Sequence, residues 1–221
     1  MHSPNIKTLC EAYSQANHRE RLVKVFRDFD RVLVTSSFGT TSVIFLHMLH
    51  RANPECSVHF VDTGYLFEET YEYIETLRNR LDLNIVTVTP DAHAHALTQR
   101  EKTWLKNPDH CCFLNKVEPV RRLTQRHQVW VSGMLGSGNE FRQNLPLFRK
   151  DKNILRFYPL QDMTSEDAHY YRIAHDLPVH PLELRGYGSV GCEQCTLKGT
   201  GRSGRWAGQN KTECGLHIVR K

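Results

Sequence analysis

Val32-Leu33-Val34-Thr35-Ser36-Ser37-Phe38-Gly39-Thr40-Thr41-Ser42 is the stretch on which the fold turns. Its first three residues form a short, branched, apolar run suited to a buried strand. A loop of hydroxyls and one glycine follows, then an apolar helix expected over about 41–52. Val58-His59-Phe60-Val61 repeats the pattern, ending in Asp62-Thr63-Gly64 before a helix over about 67–81. Ile85 to Val88 reads as a third strand and Val129 to Val131 as a fourth, with a helix over about 115–126 between them. Ile154 to Tyr158 reads as a fifth, followed by a helix over about 165–175. Upstream, residues 6–29 read as one or two amphipathic helices that bury Leu9, Tyr13, Leu22, Val25, Phe26 and Phe29. Short strands alternating with helices imply βαβ units and a parallel sheet, which binds ligands beyond the carboxyl ends of its strands. The loops at 35–42, 62–66 and 132–140 are therefore the expected site.

The chain has 221 residues, 39% hydrophobic and 24% charged, enough for one compact core and short for two domains. Its formal net charge is +5, and the location of that excess is informative. Residues 198–221 hold Lys198, Arg202, Arg205, Lys211, Arg220 and Lys221 against the single acid Glu213, which accounts for the whole excess. A coat for nucleic acid would spread its cations over a face. A basic, glycine-rich tail on a neutral body is either a cover for one anionic ligand or a solvated end. No apolar run approaches the length of a membrane span. Met1-His2-Ser3-Pro4-Asn5 lacks the layout of a secretory signal. Seven cysteines, an odd number, are too few for a disulfide scaffold and fit a reducing, cytoplasmic setting.

Four constellations carry chemistry. Ser36-Ser37-Phe38-Gly39-Thr40-Thr41-Ser42 lies between a strand and a helix, where backbone N–H groups and hydroxyls suit phosphate or sulfate. It lacks the Gly-Lys-Ser/Thr ending of a Walker loop, and an N-cap at Thr40 or Thr41 explains it equally well. Asp62-Thr63-Gly64-Tyr65-Leu66 could meet a ribose and an adenine edge, or simply cap the next helix. Cys111-Cys112 and Cys192-x-x-Cys195 supply four soft thiolates, the ligand set of tetrahedral zinc or an iron–sulfur cluster. Neighbouring side chains point apart, so an adjacent pair suits a cubane, whose irons each take one thiolate, better than a single zinc. Cys214 lies in the basic tail beside Lys211 and His217, where cations favour a nucleophilic thiolate. Cys10 and Cys56 have no such neighbours and read as small hydrophobes.

Together these stretches resemble the assimilatory sulfonucleotide reductases, in particular the cluster-bearing adenylyl-sulfate (APS) reductases. The likeness rests on Ser36-Ser37-Phe38-Gly39, Asp62 to Phe67, Cys111-Cys112-Phe113-Leu114-Asn115-Lys116-Val117, Arg185-Gly186 through Cys192-Glu193-Gln194-Cys195, and Glu213-Cys214-Gly215-Leu216-His217. It implies a single-domain, Rossmann-like α/β fold of the adenine nucleotide α-hydrolase type, with a parallel sheet, helices on both faces and a basic tail. Residues 1–197 would be the nucleotide-binding domain with its iron–sulfur site, and 198–221 a flexible tail carrying the catalytic cysteine. The implied reaction is thioredoxin-dependent reduction of APS to sulfite and AMP through an S-sulfocysteine on Cys214. His217 and Lys116 would assist. Ser36, Ser37, Phe38, Gly39, Asp62, Thr63, Gly64, Leu66, Arg142, Arg185, Gly186, Arg202 and Arg205 would bind substrate. Cys111, Cys112, Cys192 and Cys195 would hold a 4Fe-4S cluster that positions Lys116 and passes no electrons to substrate. The resemblance also implies symmetric homo-oligomers, with no nucleic-acid or membrane partner.

Three departures stand out. Thr41-Ser42 replaces an acidic pair, Asn115 an arginine, and Met134-Leu135-Gly136-Ser137-Gly138 an Arg-Arg-x-Gln-Ser run, leaving Arg142 as the first cation after the fourth strand. Alternatives are a reductase of the 3′-phosphorylated substrate (PAPS) or of both, and an ATP-using adenylating or thiolating enzyme of the same fold. Against the latter, Phe38 stands where a pyrophosphate loop needs glycine. A zinc module on nucleic acid would place cations around the cysteines, whereas Asp109, His110 and Phe113 flank the pair.

Overall fold

The computed structural model describes residues 5–218. Met1 to Pro4, and the tail cations Arg220 and Lys221, lie outside the described residues. Helices α1 (Ile6–Ser14) and α2 (His18–Asp28) precede β1 (Val32–Ser36), α3 (Ser42–Ala52), β2 (Ser57–Val61), α4 (Glu68–Leu81) and β3 (Asn84–Val88). Three short helices follow, α5 (Ala92–Arg100), α6 (Thr103–Lys106) and α7 (Pro108–Cys112). A widened turn (Phe113–Val117) leads into α8 (Glu118–Thr124), β4 (Val129–Ser132) and α9 (Glu140–Gln143). The hairpin β5 (Phe148–Asp151) and β6 (Ile154–Phe157) and helix α10 (Ser165–Ala174) complete the regular elements.

The strands lie in the order β3-β2-β1-β4-β6-β5, parallel except for β5 against β6. From β1 the chain winds outward through β2 and β3, then returns to place β4 on the other side of β1. That reversal opens a crevice at the carboxyl ends of β1 and β4, where ligands bind in sheets of this type. Alternating strand residues point to opposite faces. Val34, Val129, Val131 and Phe157 join the main core with α1 to α4 and α10, whereas Leu33, Trp130 and Ile154 pack with Val120 of α8 and Leu216 of the tail.

The strand expectations hold, and β5 is an addition. Phe148-Arg149-Lys150-Asp151 carries one apolar residue at a sheet edge, so it shows no strand periodicity. The helix expected over 115–126 begins earlier: α7 and α8 run together through the widened turn. Pro119 lacks the N–H that would close an α-turn onto residue 115, and the Glu118 N–H reaches Phe113 O instead. The 6–29 segment is two helices. Asn17 breaks it by capping α2, accepting from the Glu20 N–H at 3.0 Å. Tyr13, Leu22 and Val25 are fully buried; Leu9, Phe26 and Phe29 are partly so. Among the described residues, no helix is long and apolar enough to cross a membrane.

Candidate active site

β1 ends in the loop that opens the sequence. Phe38 takes φ 49°, a left-handed conformation that costs a bulky residue energy, and its ring is fully buried edge-to-face against Phe60 at 5.4 Å. Phe38 is therefore a core anchor for the loop and not a cavity residue. Thr41 sits at the N-cap position of α3 without a side-chain cap, while Thr40 Oγ1 donates to Gly188 O at 3.2 Å. The loop after β4 is pressed against its neighbours as well. A Cβ on Gly136 would lie 2.0 Å from Gln161 O, so only glycine fits there.

Between these loops and the tail lies a cavity of about 330 Å³. Ser36, Ser37, Gly39 and Leu66 line it from the sheet side, and Lys116, Arg142, Arg202, Arg205, Cys214 and His217 from the helix and tail side. These ten expected site residues come together. Others do not. Asp62, Thr63 and Gly64 stand behind the wall: Asp62 accepts from the Gly64 N–H at 2.9 Å and the Tyr71 hydroxyl at 2.8 Å, and Thr63 Oγ1 lies 3.3 Å from Cys192 Sγ. That loop braces the Cys-x-x-Cys loop, with the Glu193 N–H donating to Tyr65 O at 2.7 Å. Arg185 is exposed and ion-paired with Glu69, outside the cavity. Gly186, at φ 90°, ends the short turn Glu183–Arg185 and directs the chain away from Arg185.

The tail is packed onto the body. Trp206 is 2% exposed, with Arg202, Arg205 and Lys211 around its ring at 4.5–5.9 Å. Arg149 Nη2 donates to His217 O at 2.8 Å, and Arg156 bonds Leu216 O while lying over the Trp130 ring. Buried Nε atoms of Arg202 and Arg205 and Nδ1 of His217 have no hydrogen-bond partner among the described residues. With Lys116, they give the cavity unspent donors and positive charge, the requirement for a polyanion. Burial, then the charges of Arg142 and Arg156, lower His217 to about 3, so its imidazole is neutral.

Cys111, Cys112, Cys192 and Cys195 line a second, small void that shares Lys116 with the large cavity. Among the described residues, no group of three or more His, Cys, Asp or Glu is arranged to hold a single ion. Burial, with Cys192 and Cys195 acting in the same direction, pushes the Cys111 thiol up to about 11. Thiols so crowded need a cationic centre to ionise together, and four thiols around one void are a donor set that could hold a multi-iron centre. Asn115 is buried and donates to Cys111 O at 2.9 Å and to Cys111 Sγ at 3.7 Å. Burial alone would lower Lys116. The thiols Cys192, Cys214 and Cys112 outweigh it and hold the ammonium above the ordinary lysine range. The neighbouring Cys112 thiol holds Cys214 below the ordinary thiol range; burial opposes this, and Lys116 and the Leu216 N–H assist.

Sequence reasoning missed Trp130, Trp206, Glu213 and the pair Arg149 and Arg156. Trp206 carried a signal, an aromatic following Arg202 and Arg205 in an otherwise glycine-rich tail. The two arginines on β5 and β6 carried none, because their relevance depends on a hairpin packed beside the tail.

Residues 31–198 match the phosphoadenosine phosphosulfate reductase domain family. The chain is 36% identical over 198 residues to an adenosine 5′-phosphosulfate reductase of Bacillus mycoides, covering 86% of this chain and 85% of that one. It is 37% identical over 197 residues to the protein of that name from Bacillus cereus, covering 85% and 84%. Its fold is similar to the crystal structure of a phosphoadenylyl-sulfate reductase from Candida auris in a phosphate complex. The TM-score is 0.76 at 22% identity, over 89% of this chain and 98% of that one. More distantly it is similar to yeast FAD synthetase, with TM-score 0.57 at 14% identity over 90% and 70%. The chain belongs to the phosphoadenosine phosphosulfate reductase domain family and is an oxidoreductase acting on sulfur.

Proposed function

We propose that the protein reduces adenylyl sulfate to sulfite and AMP, with thioredoxin as electron donor. The observation that carries this reading is the meeting of Cys214 with Lys116, Arg202 and Arg205 on one cavity at the sheet's switch point. The relatives named adenosine 5′-phosphosulfate reductase support APS over its 3′-phosphorylated form.

The Cys214 thiolate attacks the sulfate sulfur, and the S–O bond to the phosphate breaks. Its electron pair leaves with AMP, and the sulfonate stays on Cys214 Sγ. A thioredoxin thiolate then attacks Sγ, and sulfite departs with the S–S electron pair. The second thioredoxin thiol resolves the mixed disulfide, so that a dithiol is oxidised as sulfur passes from +6 to +4. Lys116, Arg202 and Arg205 neutralise the phosphosulfate and the charge that grows on the leaving phosphate. Ser36, Ser37 and the β1–α3 loop hold its oxygens, and neutral His217 donates a hydrogen bond. Residues 198–218 act as a lid that excludes water during transfer and opens for thioredoxin.

Cys111, Cys112, Cys192 and Cys195 would hold a 4Fe-4S cluster, whose charge would tune the field around Lys116. The test is sulfite release from APS and from PAPS, side by side, with thioredoxin and with glutathione plus glutaredoxin. Turnover of APS with thioredoxin is expected. Release of sulfite from neither nucleotide would refute the reading, and faster turnover of PAPS would replace its substrate.

A further inference from the structure

Glu213 immediately precedes the proposed nucleophile, is 2% exposed, and has both carboxylate oxygens occupied. Oε2 accepts from Arg142 Nε at 2.6 Å and Asn139 Nδ2 at 3.4 Å. Oε1 accepts from Arg142 Nη2 at 3.0 Å, Arg202 Nη2 at 3.1 Å and the Cys214 N–H at 2.9 Å. The first and third of these five contacts form the parallel fork in which a guanidinium grips a carboxylate. Burial alone would raise the carboxyl; Arg142 and Arg202 reverse this and hold it at about 2, so it is ionised.

Arg142 is itself fixed. It lies on α9 directly after the β4 loop, and its backbone N–H donates to Asn139 Oδ1 at 2.9 Å. The absent side chain of Gly138 leaves room for it, since a Cβ there would sit 3.1 Å from Arg142 Cδ. A continuous path therefore runs from the end of β4 through Arg142 and Glu213 to the backbone of Cys214. The cations divide by their remaining donors. Arg202 and Arg205 keep a buried Nε without a partner among the described residues, whereas Arg142 spends its Nε and Nη2 on Glu213.

We infer that Arg142 and Glu213 form one positioning unit, in which Arg142 acts through Glu213 to place Cys214 for attack instead of binding the substrate anion. The inference rests on the reading of Cys214 as nucleophile. It replaces the expectation from sequence that Arg142 binds substrate. Replacing Arg142 by Lys keeps the charge and loses the fork; replacing Glu213 by Gln keeps the shape and loses the charge.

The experiment compares Arg142→Lys, Glu213→Gln and the double variant by two measurements. One is the single-turnover rate of sulfonate transfer from APS to Cys214 without reductant, followed by mass; the other is the dissociation constant of AMP. Each single variant should slow transfer by about tenfold or more, as a small misplacement of a reacting group does. AMP affinity should stay within about twofold, and the double variant should be no slower than the slower single, because both remove one interaction. Loss of AMP affinity in Arg142→Lys by the factor that slows transfer would overturn the inference. Independent, multiplying effects in the double variant, or unchanged transfer rates, would do the same. If Glu213→Gln fails to fold, judged by thermal melting, Arg142→Lys carries the rate and affinity comparison alone. Absence of any adduct in the unmodified protein would count against the proposed reaction and not against this pairing.

Discussion

Lys211 Nζ lies 2.5 Å from the Asp109 carboxylate and 3.4 Å from Pro108 O, so the tail is tied to the helix that carries Cys111 and Cys112. The lysine side chain is 5% exposed and the aspartate 58%, a half-solvated pair worth about 1 kcal/mol. Lys211→Met keeps the stem beside Trp206 and removes the charge. Proteolytic cleavage within residues 199–212 should then be about fivefold faster, the factor that 1 kcal/mol gives to an opening equilibrium. Unchanged cleavage would show that Trp206 and Glu213 hold the tail without this pair.

Cys214→Ser should bind AMP within about twofold of the parent and release no sulfite, since an alcohol at that position is too weak a nucleophile without an activating base. Incubating the unaltered protein with APS and no reductant should add a sulfonate mass to the peptide containing Cys214, and the variant should add none. Parent-level turnover in the serine variant would remove Cys214 from the reaction.

Protein purified without oxygen should be brown and carry about four irons per chain. Cys192→Ser should lose the colour and most of the iron. Colourless protein with stoichiometric zinc would replace the cluster by a single-ion site and leave the nucleophile assignment standing.

What could be read without coordinates followed physical rules of differing reach. Val32 to Val34 and Val58 to Val61 point to a parallel sheet because each short, mostly apolar run is followed by a helical stretch, the pattern of a βαβ unit. Ser36, Gly39 and Cys214, which all line the cavity, are legible because a hydroxyl-rich strand-to-helix loop and a cysteine among cations carry chemistry that a bland core would not need, whereas Lys116 enters only through the family resemblance. Asp62 and Thr63 look alike from sequence whether they meet a ribose or brace a neighbouring loop, and contact with Tyr71 and Cys192 settles what they touch. Arg185 was misplaced for a related reason. The resemblance places it among the substrate cations, and its pairing with Glu69 depends on how α4 packs. Glu213 hid in plain view, because a lone acid among cations shows its role only when Arg142 and Arg202 are seen to converge on it.

His180 is fully buried, and its Nδ1 accepts from the Leu182 N–H at 3.2 Å, so the ring proton sits on Nε2, 3.3 Å from Thr70 Oγ1. Burial lowers its pKa to about 4, against 6.5 in the unfolded chain. A histidine kept neutral by folding contributes its stability in full above pH 6.5 and loses it as pH falls towards 4. The share lost between pH 7 and 5 is about 2 kcal/mol. His47 shifts in the same direction, to about 4, by burial and the nearby His175 and Arg51. Glu213 and Asp162 are both held at about 2, so their contributions are lost as pH falls from the usual carboxylate value of about 4 towards 2, largely below this window. Denaturant midpoints should therefore fall between pH 7 and 5. His180→Asn, which keeps an acceptor for the Leu182 N–H, should be less stable at pH 7 and lose less on acidification. Parallel curves for the two proteins would show that His180 is not among the groups that titrate on unfolding.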